Sequence, residues 1–113
     1  VELKDEAQKL KDGRNFPKAA SAYQQCIELV GASNPVAADL FAAKSQCHLA
    51  MRHYADVVVD ATRALKISPK NVDALVSRAR AYLATGQEKK AKADASAAHA
   101  LDGTNDAAKA LLE

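Results

Sequence analysis

The side chains able to carry acid–base, nucleophilic or metal chemistry are few in this sequence and poorly spaced for it. Three histidines are present: His48, His53 and His99. Two metal ligands on one helical face need a separation of four, and His48 and His53 are five apart. Neither cysteine, Cys26 or Cys47, lies at a metal-ligand spacing from them. No metal site is therefore expected. His48 reads as a packed, hydrogen-bonded residue, and His53 and His99 as solvated or at helix ends. Ser21, Ser45, Ser77 and Ser96 lack the glycine elbow of an activated nucleophile. No glycine-rich phosphate loop follows a strand. Neighbouring carboxylates such as Asp5 and Glu6 read as wet helix surface, and no pair has the separated environments that assign acid and base. The expectation is no catalytic residue, no cofactor and no enzyme activity.

The bulk numbers agree with that reading. The 113 residues suffice for one domain with a modest core, and nearly half are apolar, much of that share alanine. Sixteen basic and 14 acidic residues leave a net charge of +2, with 4% aromatics. That balance offers neither the basic field nor the stacking surface that nucleic acid requires. No apolar run reaches the ~20 residues of a membrane span, and no targeting segment is visible. Cys26 and Cys47 read as small buried apolar residues without a disulfide, which sets the cytoplasm as the expected compartment. The chain begins at Val1 rather than at a methionine and reads as a piece of a longer protein.

Periodicity supplies the architecture. Leu75, Ala79 and Tyr82 share one helical face. After a break at Thr85-Gly86, Ala91, Ala95, Ala98 and Leu101 share another. Small residues dominate both stripes, so the two helices can approach closely as an antiparallel hairpin. Stepping back 34 residues from Tyr82, Ala91, Ala95, Ala98 and Leu101 lands on His48, Val57, Ala61, Ala64 and Ile67. A further 38 from the last four lands on Ala19, Tyr23, Cys26 and Leu29.

Helices are predicted at about 2–12, from Asn15-Phe16 to about Val30, at about 36–51, about 54–67, on either side of Thr85-Gly86, and from Thr104 or Asn105 to Glu113. Gly13 is expected to end the first in the left-handed cap conformation. Asn15 before Pro17, and Asn34 before Pro35, are expected helix caps. Leu3, Ala7 and Leu10 should face inward, as should Ala108, Leu111 and Leu112 of the last helix.

A period near 34 with a helix–turn–helix in each unit resembles the tetratricopeptide repeat family along the whole chain. Phe16 and Tyr54 stand where that family keeps an aromatic opening the second helix, Gly86 at its mid-repeat turn, and Pro69 at a repeat end. Glu88 replaces the aromatic in the third unit, Gly103 stands where a closing proline is common, and four residues, Asn34 to Ala37, lengthen the first junction. The resemblance implies an all-α, right-handed α-solenoid with a concave groove. It would comprise three repeats, about 1–34, 38–71 and 72–104, and a capping helix over about 105–113.

The resemblance also implies that the first helix of each repeat lines that groove. Helix three carries, beside its packing stripe of Phe41, Ser45 and His48, a second stripe: Ala42, Ala43, Gln46, Leu49 and Ala50. Helix five carries Val76, Ser77, Arg80, Leu83 and Ala84 beside Leu75, Ala79 and Tyr82. A second apolar stripe needs a partner. The expected peptide-binding residues are these together with Lys4, Gln8 and Lys11, omitting Ala84. The alternative is that the final helix or a missing neighbour covers the stripe.

Residues 3–29, 42–69 and 74–87 resemble co-chaperone repeat domains more narrowly. Many of those hold the acidic tail of a heat-shock chaperone with a carboxylate clamp. Its five places fall here on Lys4, Gln8, Ala43, Asp73 and Ser77, of which only Lys4 matches, with Arg78 and Arg80 as substitute cations. The expected role is a non-catalytic, co-chaperone-like module whose groove takes an apolar or amphipathic segment of a partner, such as a heat-shock chaperone or its client. Divergent binding of an acidic chaperone tail is one alternative, and a self-associating scaffold another, with a monomer favoured.

Overall fold

The computed structural model describes residues 2–112, with the side chains of 2–4, 106, 107 and 112 outside that description. Among the described residues seven helices follow one another: α1 Glu2–Asp12, α2 Phe16–Val30, α3 Val36–Ala50, α4 Tyr54–Ile67, α5 Val72–Ala84, α6 Glu88–Leu101 and α7 Asp106–Leu112. No strand occurs among the described residues. Each helix packs on the next, and α3 also packs on α5, so consecutive hairpins stack. The predicted helix starts and ends fall within a few residues of these bounds. The expected inward placement of Leu3 and Leu112 lies outside the described side chains.

Alanine sets the spacing between the helices. Ala19, Ala61, Ala64, Ala79, Ala95 and Ala98 have no exposed surface. A methyl group at each close contact brings backbones together, and Val57, Leu40, Phe41 and Leu75 fill the remainder. In the first unit Tyr23 occupies the place that Ala61 and Ala95 hold later. It is 1% exposed, and its hydroxyl donates to Gln8 Oε1 at 3.1 Å. The two cysteines are buried, as expected.

Two predicted core residues are corrected. Leu29 is 75% and Leu101 43% exposed. Ten residues at 3.6 per turn rotate Leu29 by about 80° away from Ala19, and Leu101 equally from Ala91. The buried arc of α2 runs instead through Ala22, Cys26, Ala19, Tyr23, Ile27 and Ala20. Leu29 falls just beyond its edge.

The three turns inside the hairpins share one geometry. Arg14, Arg52 and Gly86 are left-handed, with φ of 63°, 61° and 81°. The residue after each donates its N–H five positions back: Asn15 to Leu10, His53 to His48 and Gln87 to Tyr82, at 2.8, 2.9 and 2.8 Å. The left-handed residue of the first turn is therefore Arg14, and not Gly13 as the sequence suggested. Asn15 makes no side-chain cap, while Asn34 Oδ1 accepts from the Val36 N–H at 2.9 Å.

A left-handed non-glycine residue is strained by about 1–2 kcal/mol. Arg52 is exposed. Arg52→Gly should raise stability by about 0.5–1 kcal/mol after the larger entropy loss of glycine, read as a higher urea midpoint at unchanged slope. Tyr23 gives a second test. Burial, with smaller contributions from Cys47, Asp12 and Cys26, pushes its hydroxyl from 10.0 up to about 12. The folded state holds this proton more tightly than the unfolded chain. Its contribution is therefore complete below pH 10 and lost as pH rises toward 12. The rise corresponds to about 2–3 kcal/mol. Tyr23→Phe should flatten the stability profile over that interval in denaturant melts.

Candidate peptide-binding groove

The first helices of the hairpins meet around a half-open trough of about 460 Å³. Lys11 enters from α1, and Gln46, Leu49 and Ala50 from α3. Asp73, Val76, Ser77 and Arg80 come from α5, and Asn105 from the turn before α7. The α3 and α5 residues recur at three and four positions, so each set forms one strip along its helix. Leu49, Ala50 and Val76 give an apolar floor. Lys11, Asp73 and Arg80 place two cations and one anion at its edges. Lys11 Nζ donates to Gln46 Oε1, which ties the α1 cation to α3.

Of the expected groove residues, Lys11, Gln46, Leu49, Ala50, Val76, Ser77 and Arg80 come together here. Others do not. Ala42 is 3% exposed in the core, and Ala43 packs partly against that core. The reason is that α3 is gripped by α2, α4 and α5, so its second stripe is largely absorbed by neighbours. Leu83 is 47% exposed and lies outside the trough lining. Gln8 is exposed, donating to Asp12 Oδ1 at 2.9 Å while accepting from Tyr23. The Lys4 side chain lies outside the described residues. Val76 is 9% exposed because Ala108 and Leu111 of α7 join its cluster. The final helix therefore covers part of the α5 stripe but leaves the trough open.

Asp73 and Asn105 line the trough without having been expected there as groove residues. Asn105 also caps α7, its Oδ1 accepting from the Ala108 N–H at 2.9 Å. The only legible signal for it was its place as a helix start. Of the five clamp places, Asp73 and Ser77 are in the trough, and Gln8 and Ala43 are outside its lining.

Known proteins share this arrangement. A family model described as tetratricopeptide repeat matches residues 61–93. The Arabidopsis OM64 TPR domain superposes with a TM-score of 0.90 at 28% identity, covering 97% of this chain and 88% of that one. Residues 61–93 thus match a tetratricopeptide repeat, and the chain has the fold of a domain of such repeats. The first TPR of Spaghetti (RPAP3), bound to the HSP90 peptide SRMEEVD, shares the fold with a TM-score of 0.88 at 21% identity, over 97% and 84% of the two chains. A protein SGT1 homolog of Oryza sativa subsp. japonica is 30% identical over 79 residues, 70% of this chain. The chain spans 20% of that relative's length. No helix among the described residues is long and apolar enough to cross a membrane.

The repeats also carry a polar contact at their own period. Lys44 and Arg78 are 34 apart, as are Asp60 and Asp94. Arg78 Nε and Nη2 donate to the two Asp94 carboxylate oxygens, each at 2.7 Å, and Nη1 donates to Thr62 Oγ1 at 3.2 Å. This hydrogen bonding raises the Arg78 pKa further, against its burial. Arg78 is thus held between α5 and α6 and is not the spare cation that the sequence suggested; Arg80 keeps that place. In the preceding repeat Lys44 Nζ and His48 Nε2 each stand 3.5 Å from Asp60. Burial pushes the Asp60 carboxyl up, with Lys44 and His48 opposing. Burial likewise pushes His48 down, with Asp60 opposing.

The spacing argument against a histidine cluster also needs correction. It assumed one continuous helix, whereas α3 ends at Ala50 and His53 immediately precedes α4. The turn brings His48, His53 and Asp56 together.

Asp94 is 7% exposed, so removing its partner strands a buried charge. Arg78→Met should lower the unfolding free energy by about 2–3 kcal/mol. Lys44→Met should cost less, because its contact is longer and single. Paired urea denaturation curves measure both.

Proposed function

We propose that these repeats form a non-catalytic, co-chaperone-like interaction module that holds a short amphipathic segment of a partner protein in the trough. The observation that carries this reading is the apolar floor of Leu49, Ala50 and Val76, left open between Lys11 and Arg80. An interior stripe that served packing alone would be covered, and here α7 stops short of covering it. A peptide with an apolar face would bury Leu49 and the exposed part of Val76, and its acidic end would meet Lys11 or Arg80. Fully burying one leucine is worth about 1.5–3 kcal/mol, while micromolar binding totals about 8 kcal/mol. A few such contacts therefore suffice.

A partner drawn from heat-shock chaperones or their clients is supported by the fold shared with the RPAP3 domain, whose structure holds an HSP90 peptide. Two buried cysteines suit a reducing compartment such as the cytoplasm. A second reading, an acidic chaperone tail held by a divergent clamp, is favoured by Lys11 and Arg80 and opposed by Asp73 in the same trough. A third, self-association through the same stripe, uses identical residues and is separated by concentration dependence.

Fluorescence anisotropy with an amphipathic peptide panel and with SRMEEVD tests these readings together. Leu49→Glu should weaken the amphipathic peptides about tenfold or more with the far-UV circular dichroism unchanged, since Leu49 is only half-buried. Loss of helicity in this variant would place Leu49 in the core and remove the groove. Tight SRMEEVD binding that strengthens in Asp73→Asn would instead favour the acidic-tail reading. Sedimentation that shows oligomers dissolving on Leu49→Glu would favour the scaffold.

A further inference from the structure

The turn between α3 and α4 gathers three potential metal ligands from separate pieces of backbone. His48 lies in the last turn of α3, His53 immediately before α4, and Asp56 in the first turn of α4. One ligand atom from each lies within 4.8 Å of the other two. The two imidazole centroids are 5.8 Å apart with their planes tilted by 37°. Three ligands on one tetrahedral ion stand about 3.3 Å from each other. The remaining closure is within reach of side-chain rotation, because His53 and Asp56 are exposed.

His48 is the fixed member. Asp60, 3% exposed, places Oδ2 at 3.5 Å from Nε2. The other ring nitrogen, Nδ1, is shielded from solvent and has no hydrogen-bond partner among the described residues. A carboxylate on one nitrogen of a histidine is the usual arrangement for orienting the other toward a metal. A buried ring nitrogen left unpaired is costly in a protein interior.

We propose that His48, His53 and Asp56 form a zinc-binding site, with Asp60 orienting His48 and solvent completing the coordination. Two imidazoles and a carboxylate suit zinc better than the hard cations, which prefer oxygen alone. The ligands face a cavity of about 480 Å³ that α2 closes on one side, so solvent ligands have room. The C-terminal end of α3 favours a cation, and Asp56 offsets the opposing N-terminal end of α4. Lys44 lines the same cavity; its ammonium donates to Gln24 Oε1 at 2.8 Å and stands 3.5 Å from the other oxygen of Asp60, the carboxylate that orients His48. None of this cavity's lining residues is shared with the peptide trough, so the inference is independent of the proposed peptide role.

Calorimetric titration of the chain with zinc near neutral pH tests it. One equivalent should bind with a dissociation constant of about 1–10 µM, and the thermal midpoint should rise with zinc concentration. Cobalt(II) should give the visible bands of a nitrogen–oxygen site without thiolate charge transfer. His53→Ala and Asp56→Asn, both at exposed positions, should each weaken zinc about tenfold or more with circular dichroism unchanged. The site does not exist if no saturable binding is seen up to about 100 µM zinc, or if binding survives both substitutions. A thiolate band with cobalt would overturn it too, by moving the metal to Cys26 or Cys47.

Discussion

Everything in this chain rests on the close approach of helices at alanine. Ala61, Ala64, Ala95 and Ala98 are sealed at the contacts between paired helices, and a methyl group there fixes the separation. An extra methylene at such a contact has nowhere to go except into strain or a shifted helix. Because the same small residues recur at the repeat period, each hairpin presents nearly the same surface to the next, and the stack propagates. The trough is a consequence. Second helices tuck behind, and first helices are left facing one another across a gap that α7 only partly fills.

That constraint explains which parts of the architecture were legible in the sequence. The helix bounds were readable because caps and breakers act locally: Asn34 bonds the start of α3, and Gly86 adopts the left-handed turn. The repeat was readable because Val57, Ala61 and Ala64 reappear as Ala91, Ala95 and Ala98. The site was readable in part. Stripe spacing put Leu49, Val76 and Arg80 on the second stripes of their helices, and all three line the trough. Ala42, Leu83 and Asn105 went astray because their environment is set by other helices. A central helix that is apolar on nearly every side has no sequence feature that separates core from groove. Leu29 and Leu101 failed for a simpler reason, the angular drift of a stripe carried one turn too far.

The polar contacts teach a related lesson. Lys44 with Asp60, and Arg78 with Asp94, repeat at the same interval as the alanines, so the shift that revealed the fold contained them as well. They were passed over because a charge on a helix normally reads as solvated surface. Here the alanine contacts bring the second helix near enough for its aspartate to reach the long cation of the first. The buried carboxylate therefore follows from the small-residue seam: with larger residues at the seam, the same aspartate would face water. The first repeat shows the converse. Ala22 stands where an aspartate would be, and Tyr23 fills the adjoining place, bonding Gln8 instead.

This division of labour sorts the cations of the first helices into two kinds. Lys44 and Arg78 hold hairpins closed and are half-buried against carboxylates. Lys11 and Arg80 face the trough, and among the described residues Arg80 has no ion-pair partner. Two positions separate the arginine that Asp94 holds from the one that lines the trough, because they rotate the side chain about 200° around α5. Charge chemistry for a guest can change at Arg80 and Asp73 without disturbing the pair that fastens α5 to α6. The same stack can thus retain its fold while the charges that line its trough vary.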